Sequence, residues 1–345
     1  MPLSDPWSQI PNEQLQFDVE EPVCGPLFDS LADWFHLTLH REVTHLTHRT
    51  GGGGGFKSNI FFVQTSGEEF AIRVPHPGTG WNARLIGAPE YHSIAGIYAV
   101  KRLAALGQPV PELVAVERNP RILGGPFAVW RRVHGVHMAD YSEEWTKWPY
   151  PEGQWGEFLR ACHSIEPVRG TGPVDDEGIG VCASWAEYIR RISAAHISTH
   201  GSHLPTGFAA DWEQALERYA PLMDSRPVRL LHMESNGYCN LILDTDTHAI
   251  KAAVDFEEVT AGDPLFELVS MAWYLGKPGI ADHGGRTCFS WRRFERGYGS
   301  IEWKHPLIPI YRAVMLLEKL QGEDRESRVR RLKDIVQERR RHDEP

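Results

Sequence analysis

The chain has few cysteines, and they form no recognisable metal-binding or redox pattern. Its 345 residues include five, Cys24, Cys162, Cys182, Cys239 and Cys288, and none belongs to a CxxC pair. Disulfide frameworks and zinc sites need paired or regularly spaced cysteines. We therefore expect reduced thiols in a cytoplasmic protein.

Long apolar runs and an excess of positive charge are also missing. No stretch reaches the ~18 apolar residues that a membrane helix needs. The first residues lack the basic and apolar segments of a secretory signal. The formal net charge of −10 argues against non-specific binding to nucleic acids or anionic membranes. We expect a cytoplasmic protein, a monomer or weak homodimer, whose acidic charge suits a cationic small-molecule substrate.

Two nucleotide-binding motifs are nearly present but fail at the same residue. The run Gly51–Gly55 with Lys57 and Ser58 resembles a Walker A loop, but Phe56 replaces its last glycine. The run continues into β-rich NIFFVQ, whereas a Walker A loop must lead into a helix. A GxGxxG fingerprint also requires glycine at position 56. What remains is either a glycine-rich hairpin turn that covers nucleotide phosphates, as in kinases, or a flexible loop.

The pattern of apolar residues changes along the chain. Residues 1–25 are rich in proline and acidic residues and predict an irregular arm. The pattern then predicts a helix over Pro26–Leu39, a hairpin that turns at residues 65–68, a helix over Glu90–Leu106 and two more strands. Beyond Gly135, amphipathic helical stretches dominate.

This order of elements predicts an α+β fold with two lobes. Residues 26–133 form a small β-rich N-lobe with the glycine-rich loop and a hinge. Residues 134–345 form a larger helical C-lobe with the catalytic and metal loops. A protein-kinase-like fold has this organisation.

The segment from His232 to Asp263 carries the residues best suited to catalysis. His232 ends a short strand, Glu234 and Asn240 lie in the loop that follows, and Asp255 ends a later strand. Metal-dependent phosphoryl transfer needs a carboxylate near the attacking hydroxyl, and an amide and a second carboxylate on Mg²⁺. Any one of these residues is more simply explained as a solvated loop residue. The ordered set predicts a phosphotransferase.

The sequence resembles the aminoglycoside phosphotransferase family, and within it the hygromycin B kinase-like branch. The resemblance covers about residues 44–275, including SNIFFV, EFAIRVP, GQPVPELV, FAVWRRVHG and GTGPVDDEGIGVCASWAEYI. The family's HGDxxxxN motif is matched loosely by His232-Met233-Glu234 and Asn240. Its hDW motif is matched by Val254-Asp255-Phe256, and its GDP motif by Gly262-Asp263-Pro264.

This resemblance implies an O-phosphotransferase that uses ATP or GTP with Mg²⁺. Its substrate would be a small hydroxylated natural product such as an aminoglycoside, in antibiotic resistance or biosynthesis. The implied roles are phosphate binding by Gly53, Gly54, Gly55, Ser58 and Arg73, nucleotide-base binding at the hinge by Val129 and Arg131, metal binding by Asn240 and Asp255, catalysis by Glu234 and His232, and substrate binding by Glu257, Glu258 and Asp263. Asp263 is equally a candidate for a structural cap.

Two departures from the family pattern leave a second hypothesis open. Glu234 stands where the catalytic Asp belongs, and Asn240 follows it by six residues instead of five, so that counting back from Asn240 reaches Ser235. Gly96 stands where a helix acid should pair with Arg73; Glu90 lies about two turns earlier. The alternative is a kinase-fold protein that has lost phosphoryl transfer and binds a nucleotide or metabolite, or runs other chemistry in the same cleft.

Overall fold

The computed structural model describes residues 19–50, 58–75, 92–119, 121–137, 151–233, 240–281, 289–320 and 325–341. The first half of the chain is mainly β-sheet and the second half mainly helical. The predicted α+β class is therefore confirmed. None of the described helices has the length and apolar character needed to cross a membrane.

The first half is built on an antiparallel sheet with the strand order β1-β2-β3-β4-β6-β5. The strands are β1 Val19–Pro22, β2 Val43–Thr50, β3 Ser58–Thr65, β4 Glu69–Pro75, β5 Leu113–Glu117 and β6 Phe127–Arg131. The predicted hairpin is confirmed as β3 and β4. The prediction of an irregular arm was wrong for Val19–Pro22, because these residues pair with β2 along the edge of the sheet.

Helices cover both faces of this sheet. Helix α1, Pro26–Leu39, packs Leu31, Trp34 and Phe35 against one face. The predicted helix over Glu90–Leu106 begins outside the described residues, and its described part is divided at Gly96 into α2, His92–Ala95, and α3, Ile97–Ala105. Ile94 and Ile97 pack against Ala128 on the other face. Alternation along each strand therefore decides which of its residues face α1 and which face α2 and α3.

The second half contains two small sheets among helices. The sheet orders are β10-β13-β8-β9 and β12-β11-β7. The strands are β7 Val136–His137, β8 Thr171–Val174, β9 Gly180–Cys182, β10 Arg229–Leu231, β11 Leu241–Leu243, β12 Ile250–Ala253 and β13 Thr260–Gly262. The helices are α4 Glu152–Cys162, α5 Trp185–His200, α6 Phe208–Asp224, α7 Pro264–Tyr274, α8 Trp291–Tyr298, α9 Ile308–Glu318 and α10 Arg325–Arg341.

The hygromycin-branch segment GTGPVDDEGIGVCASW forms the β8–β9 hairpin and the start of α5. Ser184 accepts a hydrogen bond from the Glu187 amide, and the Glu187 carboxylate accepts one from the Ala183 amide. This reciprocal pair is a capping box, which fixes where α5 begins. Strand β8 pairs with β13, so this segment supports the strand that leads into Asp263.

Candidate active site

Asn240 and Asp255 meet at the open end of the β11–β12 hairpin. Leu241 pairs with Ala253, so Asn240 lies just before one strand and Val254 just after the other. The Val254 amide donates a 2.9 Å hydrogen bond to the Asn240 carbonyl oxygen. Asp255 has a backbone φ of 69°, a left-handed conformation that strains a non-glycine residue and often marks functional sites. The register therefore places Asn240 and Asp255 beside each other in the backbone, and metal binding by them stays a prediction.

Arg73 reaches this hairpin end from the sheet in the other half of the chain. Its neighbours Ile72 and Val74 are buried under α1, so Arg73 points to the opposite face of β4. Its guanidinium contacts the Asp255 carboxylate through Nη1 at 2.7 Å and the Glu257 carboxylate through Nη2 at 2.6 Å. Strand β4 lies between β3 and β6, so Arg73 stands on an interior strand of the sheet. The two halves of the chain are thus joined by ion pairs at the predicted metal residue.

His232 is fully buried, and its contacts give it a positioning role. Its Nε2 lies 3.0 Å from the Val254 carbonyl oxygen, within hydrogen-bonding distance. The ring also packs edge-on against Phe256, with centroids 4.7 Å apart. The sequence grouped His232 with Glu234 as catalytic, and a direct catalytic role for His232 stays a prediction. Glu234 itself lies outside the described residues.

Glu267 on α7 organises the end of β10, a role that the sequence pattern did not indicate. Its carboxylate accepts hydrogen bonds from the His232 amide at 3.0 Å and the Met233 amide at 2.7 Å. Its side chain is fully buried. Met233 has a φ of 64°, so this carboxylate stabilises a strained backbone directly before Glu234. A single acid within the apolar run PLFELVSMAW was the available signal.

A hydrogen-bonded chain extends behind Glu267. His163 Nε2 lies 2.7 Å from the Glu267 carboxylate, and His163 Nδ1 lies 2.7 Å from the Tyr298 hydroxyl. Burial of the Tyr298 hydroxyl raises its pKa, and the negative charge of Glu267 raises it further, so the hydroxyl stays protonated. A neutral His163 with its proton on Nε2 satisfies both contacts, because it donates to Glu267 and accepts from Tyr298.

The three acids expected to bind substrate are nearly buried, and Glu257 and Asp263 have internal partners. Glu257 is nearly buried and pairs with Arg73. Glu258 is buried. Burial of the Tyr188 hydroxyl raises its pKa, and the negative charge of Glu258 raises it further. Asp263 caps α7 through the Leu265 amide and accepts hydrogen bonds from Arg226 and Tyr311. Buried carboxylates engaged in this way do not present an open surface to a cationic ligand.

The residues expected to bind nucleotide are distributed unevenly. Val129 is buried on the face that packs against α1, and Arg131 pairs with Glu68 and Glu112. Their side chains therefore face away from Arg73, whereas Ala128 and Trp130 of the same strand lie on its side, where Trp130 packs beside α3. Nucleotide-base binding by Val129 and Arg131 stays a prediction. It concerns their backbone N–H and C=O groups and not their side chains. Gly53, Gly54 and Gly55 lie outside the described residues, and the Ser58 backbone begins β3 opposite Pro75.

The donor atoms at the predicted metal site suit one kind of ion better than another. Asn240 and Asp255 offer an amide and a carboxylate oxygen, which are hard ligands of the type that Mg²⁺ prefers. Within the described ranges, no group of three His, Cys, Asp or Glu side chains is placed to hold a metal ion. A two-residue site fits Mg²⁺, because this ion is commonly held by one or two protein ligands together with substrate phosphates. It does not fit a structural zinc site, which needs four ligands.

Comparison with known proteins identifies the family. Residues 49–299 match the model of the family described as "Phosphotransferase enzyme family". Hygromycin-B 4-O-kinase of Escherichia coli is 26% identical over 295 residues, which cover 84% of this chain and 73% of that protein. The predicted resemblance to the aminoglycoside phosphotransferases and their hygromycin B kinase-like branch is confirmed.

Solved structures show the same fold. A thermostable mutant of aminoglycoside phosphotransferase APH(4)-Ia, solved with AMP-PNP and hygromycin B, aligns with a TM-score of 0.58 at 21% identity over 89% of this chain and 98% of that chain. Spectinomycin phosphotransferase APH(9)-Ia, solved with ADP and spectinomycin, aligns with a TM-score of 0.53 at 13% identity over 90% and 93% of the two chains. The protein-kinase-like fold is therefore confirmed. With the family model matching most of its length, the chain belongs to the phosphotransferase enzyme family and is a phosphotransferase with an alcohol group as acceptor.

Proposed function

We propose that this enzyme transfers the terminal phosphoryl group of ATP or GTP to a hydroxyl group of an aminoglycoside-like compound. The observation that carries the proposal is the meeting of Asn240, Asp255 and Arg73 at one point between the two halves of the chain. An amide, a carboxylate and a cation are the groups that phosphoryl transfer requires around the nucleotide phosphates.

The roles follow from the chemistry of each group. Asn240 and Asp255 would hold Mg²⁺, which shields the phosphate charge when it is bound. Arg73 supplies a fixed positive charge beside them. The bond from the terminal phosphorus to the bridging oxygen breaks, and a bond to the acceptor oxygen forms. Glu234 would accept the proton that the acceptor hydroxyl loses, and Glu267 fixes the backbone from which Glu234 extends.

The relatives guide the choice of substrates for the test. One relative is a hygromycin-B kinase, and the two structures described above hold hygromycin B and spectinomycin. The purified protein would be incubated with MgATP or MgGTP and a panel of aminoglycosides that includes both compounds. Release of nucleoside diphosphate and a mass increase of one phosphoryl group on the acceptor are the expected results.

Two variants separate the roles at the active site. Asp255→Asn should abolish transfer, since the amide cannot replace the charge of a metal-binding carboxylate. Glu234→Gln should lower kcat at least a hundredfold, in the range of a lost general base, whereas the neighbouring Ser235→Ala should retain most of it. Full activity in Glu234→Gln would remove Glu234 from its proposed role. Nucleotide binding without transfer to any acceptor would favour the alternative, a kinase fold that has lost its reaction.

A further inference from the structure

The turn of the β8–β9 hairpin contacts the first half of the chain through two side chains. Arg118, which directly follows β5, forms an ion pair with Asp176 in the turn. Tyr98 on α3 packs its ring against Gly178, where an added Cβ atom would lie 2.7 or 2.8 Å from three atoms of the ring. Gly178 also has a φ of 83°, a conformation that favours glycine. We call these two interactions together the hairpin contact.

Hydrogen bonds within the turn fix its backbone. The Asp175 carboxylate accepts hydrogen bonds from the Glu177 amide at 3.0 Å and from the Ile179 amide at 2.9 Å. Two adjacent acids therefore have different uses, because Asp175 shapes the turn and Asp176 binds Arg118. The Asp176 side chain is only 14% exposed, so the turn holds it close to the protein surface.

The base of the hairpin lies in the second half of the chain. Strand β8 pairs with β13, and the Val174 amide donates a 3.2 Å hydrogen bond to the Val259 carbonyl oxygen. Val259 lies four residues after Asp255, so the hairpin is attached to the segment that carries the predicted metal residue. The hairpin therefore spans from that segment to α3 and the end of β5.

The hairpin contact and the ion pairs of Arg73 lie at different places on the sheet. Strand β5 is at the edge of the sheet, and β6 separates it from β4, which carries Arg73. Two strand spacings correspond to roughly 10 Å across the sheet. The Ala253 amide also donates a 2.8 Å hydrogen bond to the Pro109 carbonyl oxygen, ahead of β5, whereas Arg118 follows β5. Contacts that are spread apart in this way fix the angle between the two halves better than one contact does.

We propose that Arg118 and Tyr98 are positioning residues for phosphoryl transfer, which hold the sheet at a fixed angle to the helical half through the β8–β9 turn. The sheet carries Arg73, and the helical half carries Asn240 and Asp255. The angle therefore decides whether these three side chains face the same phosphate groups. This inference rests on the proposed function, because it takes the region between the halves as the nucleotide site.

The first test measures nucleotide affinity by calorimetry, with MgADP or MgGDP, whichever binds the wild type more tightly. When the hairpin contact is broken, fewer molecules have the angle that binds nucleotide, and the dissociation constant rises by the inverse of that fraction. Arg118→Asp should raise the dissociation constant more than threefold, because it places a carboxylate against Asp176 and near Glu177. Tyr98→Ala, which removes the ring from Gly178, should also raise it more than threefold.

An exchange of charges and a matched control separate positioning from stability. Arg118→Asp combined with Asp176→Arg restores an ion pair, and the dissociation constant should return to within twofold of the wild-type value. The control is Arg190→Asp, since Arg190 pairs with Glu213 at 2.6 Å on the surface of the helical half. Arg190→Asp should leave the dissociation constant within twofold, whereas a general loss of stability would affect both arginine variants alike.

The second test measures the arrangement of the two halves without nucleotide. Nitroxide labels would be attached at Leu37→Cys on α1 and Glu217→Cys on α6, two exposed positions. Double electron–electron resonance should give a broader distance distribution in Arg118→Asp than in the labelled wild type or in Arg190→Asp. The labelling background replaces three cysteines by serine, Cys24, Cys239 and Cys288, and keeps the buried Cys162 and Cys182.

The outcomes distinguish this inference from the proposed function. If the wild type binds nucleotide, a rise of threefold or less in Arg118→Asp or Tyr98→Ala refutes the positioning role of that residue, and the proposed function stands. A charge-exchanged variant that does not recover, or a distance distribution that does not broaden, also refutes the role of Arg118. If the wild type binds neither nucleotide, the proposed function fails, and the distance distribution alone decides whether the hairpin contact fixes the angle.

Discussion

Replacing Glu267 by glutamine tests whether one buried carboxylate holds the end of β10 in place. Glutamine has nearly the same shape as glutamate, but one acceptor oxygen becomes an NH₂ donor. In one orientation that group faces the Met233 amide, and in the other it faces the His232 amide and His163 Nε2. Every orientation therefore places two donors against each other in a fully buried position.

The expected size of the effect follows from these contacts. A hydrogen bond to a charged group contributes about 1.5–3 kcal/mol, and an unsatisfied buried donor adds about 1–3 kcal/mol. We expect Glu267→Gln to lower the free energy of unfolding by about 2–4 kcal/mol. At about 2–3 °C per kcal/mol for a protein of this size, the melting temperature should fall by about 5–10 °C. Thermal unfolding followed by circular dichroism would measure it.

A surface variant provides the control for Glu267→Gln. The Glu302 side chain is 67% exposed and pairs with Arg226 at 3.3 Å. Glu302→Gln should leave the melting temperature within about 1 °C, because an exposed ion pair contributes little. Transfer should also slow in Glu267→Gln, with kcat falling more than KM rises, since the residue touches no substrate. An unchanged melting temperature and an unchanged kcat would refute the assignment.

Three further predictions concern other parts of the chain. Burial lowers the pKa of His196, so its imidazole binds a proton more tightly in the unfolded chain than in the folded one. The free energy of unfolding should therefore be at its full value above about pH 6.5 and should fall as the pH drops below it. His196→Gln should make the melting temperature depend less on pH. Gly96→Ala should cost about 1–3 kcal/mol in chemical denaturation, because its Cβ overlaps Phe256. Burial also raises the pKa of the Cys162 thiol, so mass-spectrometric mapping of alkylated native protein should find Cys24 modified and Cys162 unmodified.

Local sequence patterns predicted the elements well because their physical causes are local. The spacing of apolar residues in Pro26–Leu39 gives the helix that buries Leu31, Trp34 and Phe35. The turn residues 65–68 give the hairpin of β3 and β4. The meeting of Asn240 and Asp255 was predictable too, since both flank consecutive strands that pair as neighbours.

The partners of buried charges were not predictable in this way. Glu257 lies 184 residues from Arg73 in the sequence, and only the packing of the two halves brings them together. Glu267 depends similarly on His163, 104 residues earlier. Both acids look locally like ordinary polar residues, so the sequence assigned Glu257 to a substrate and did not assign Glu267. The orientation of Val129 and Arg131 depends on sheet register, which the strand pattern alone leaves open.

The segment between Met233 and Asn240 begins and ends at fixed points. Glu267 binds the backbone at its start, and the Val254 amide binds the Asn240 carbonyl at its end. A change in the number of residues between these points is thus confined to positions 234–239 and cannot shift Asn240 relative to Asp255. Loop length can vary while Asn240 and Asp255 keep their relative position. Chains of this family can therefore change residues in this loop without moving Asn240 relative to Asp255.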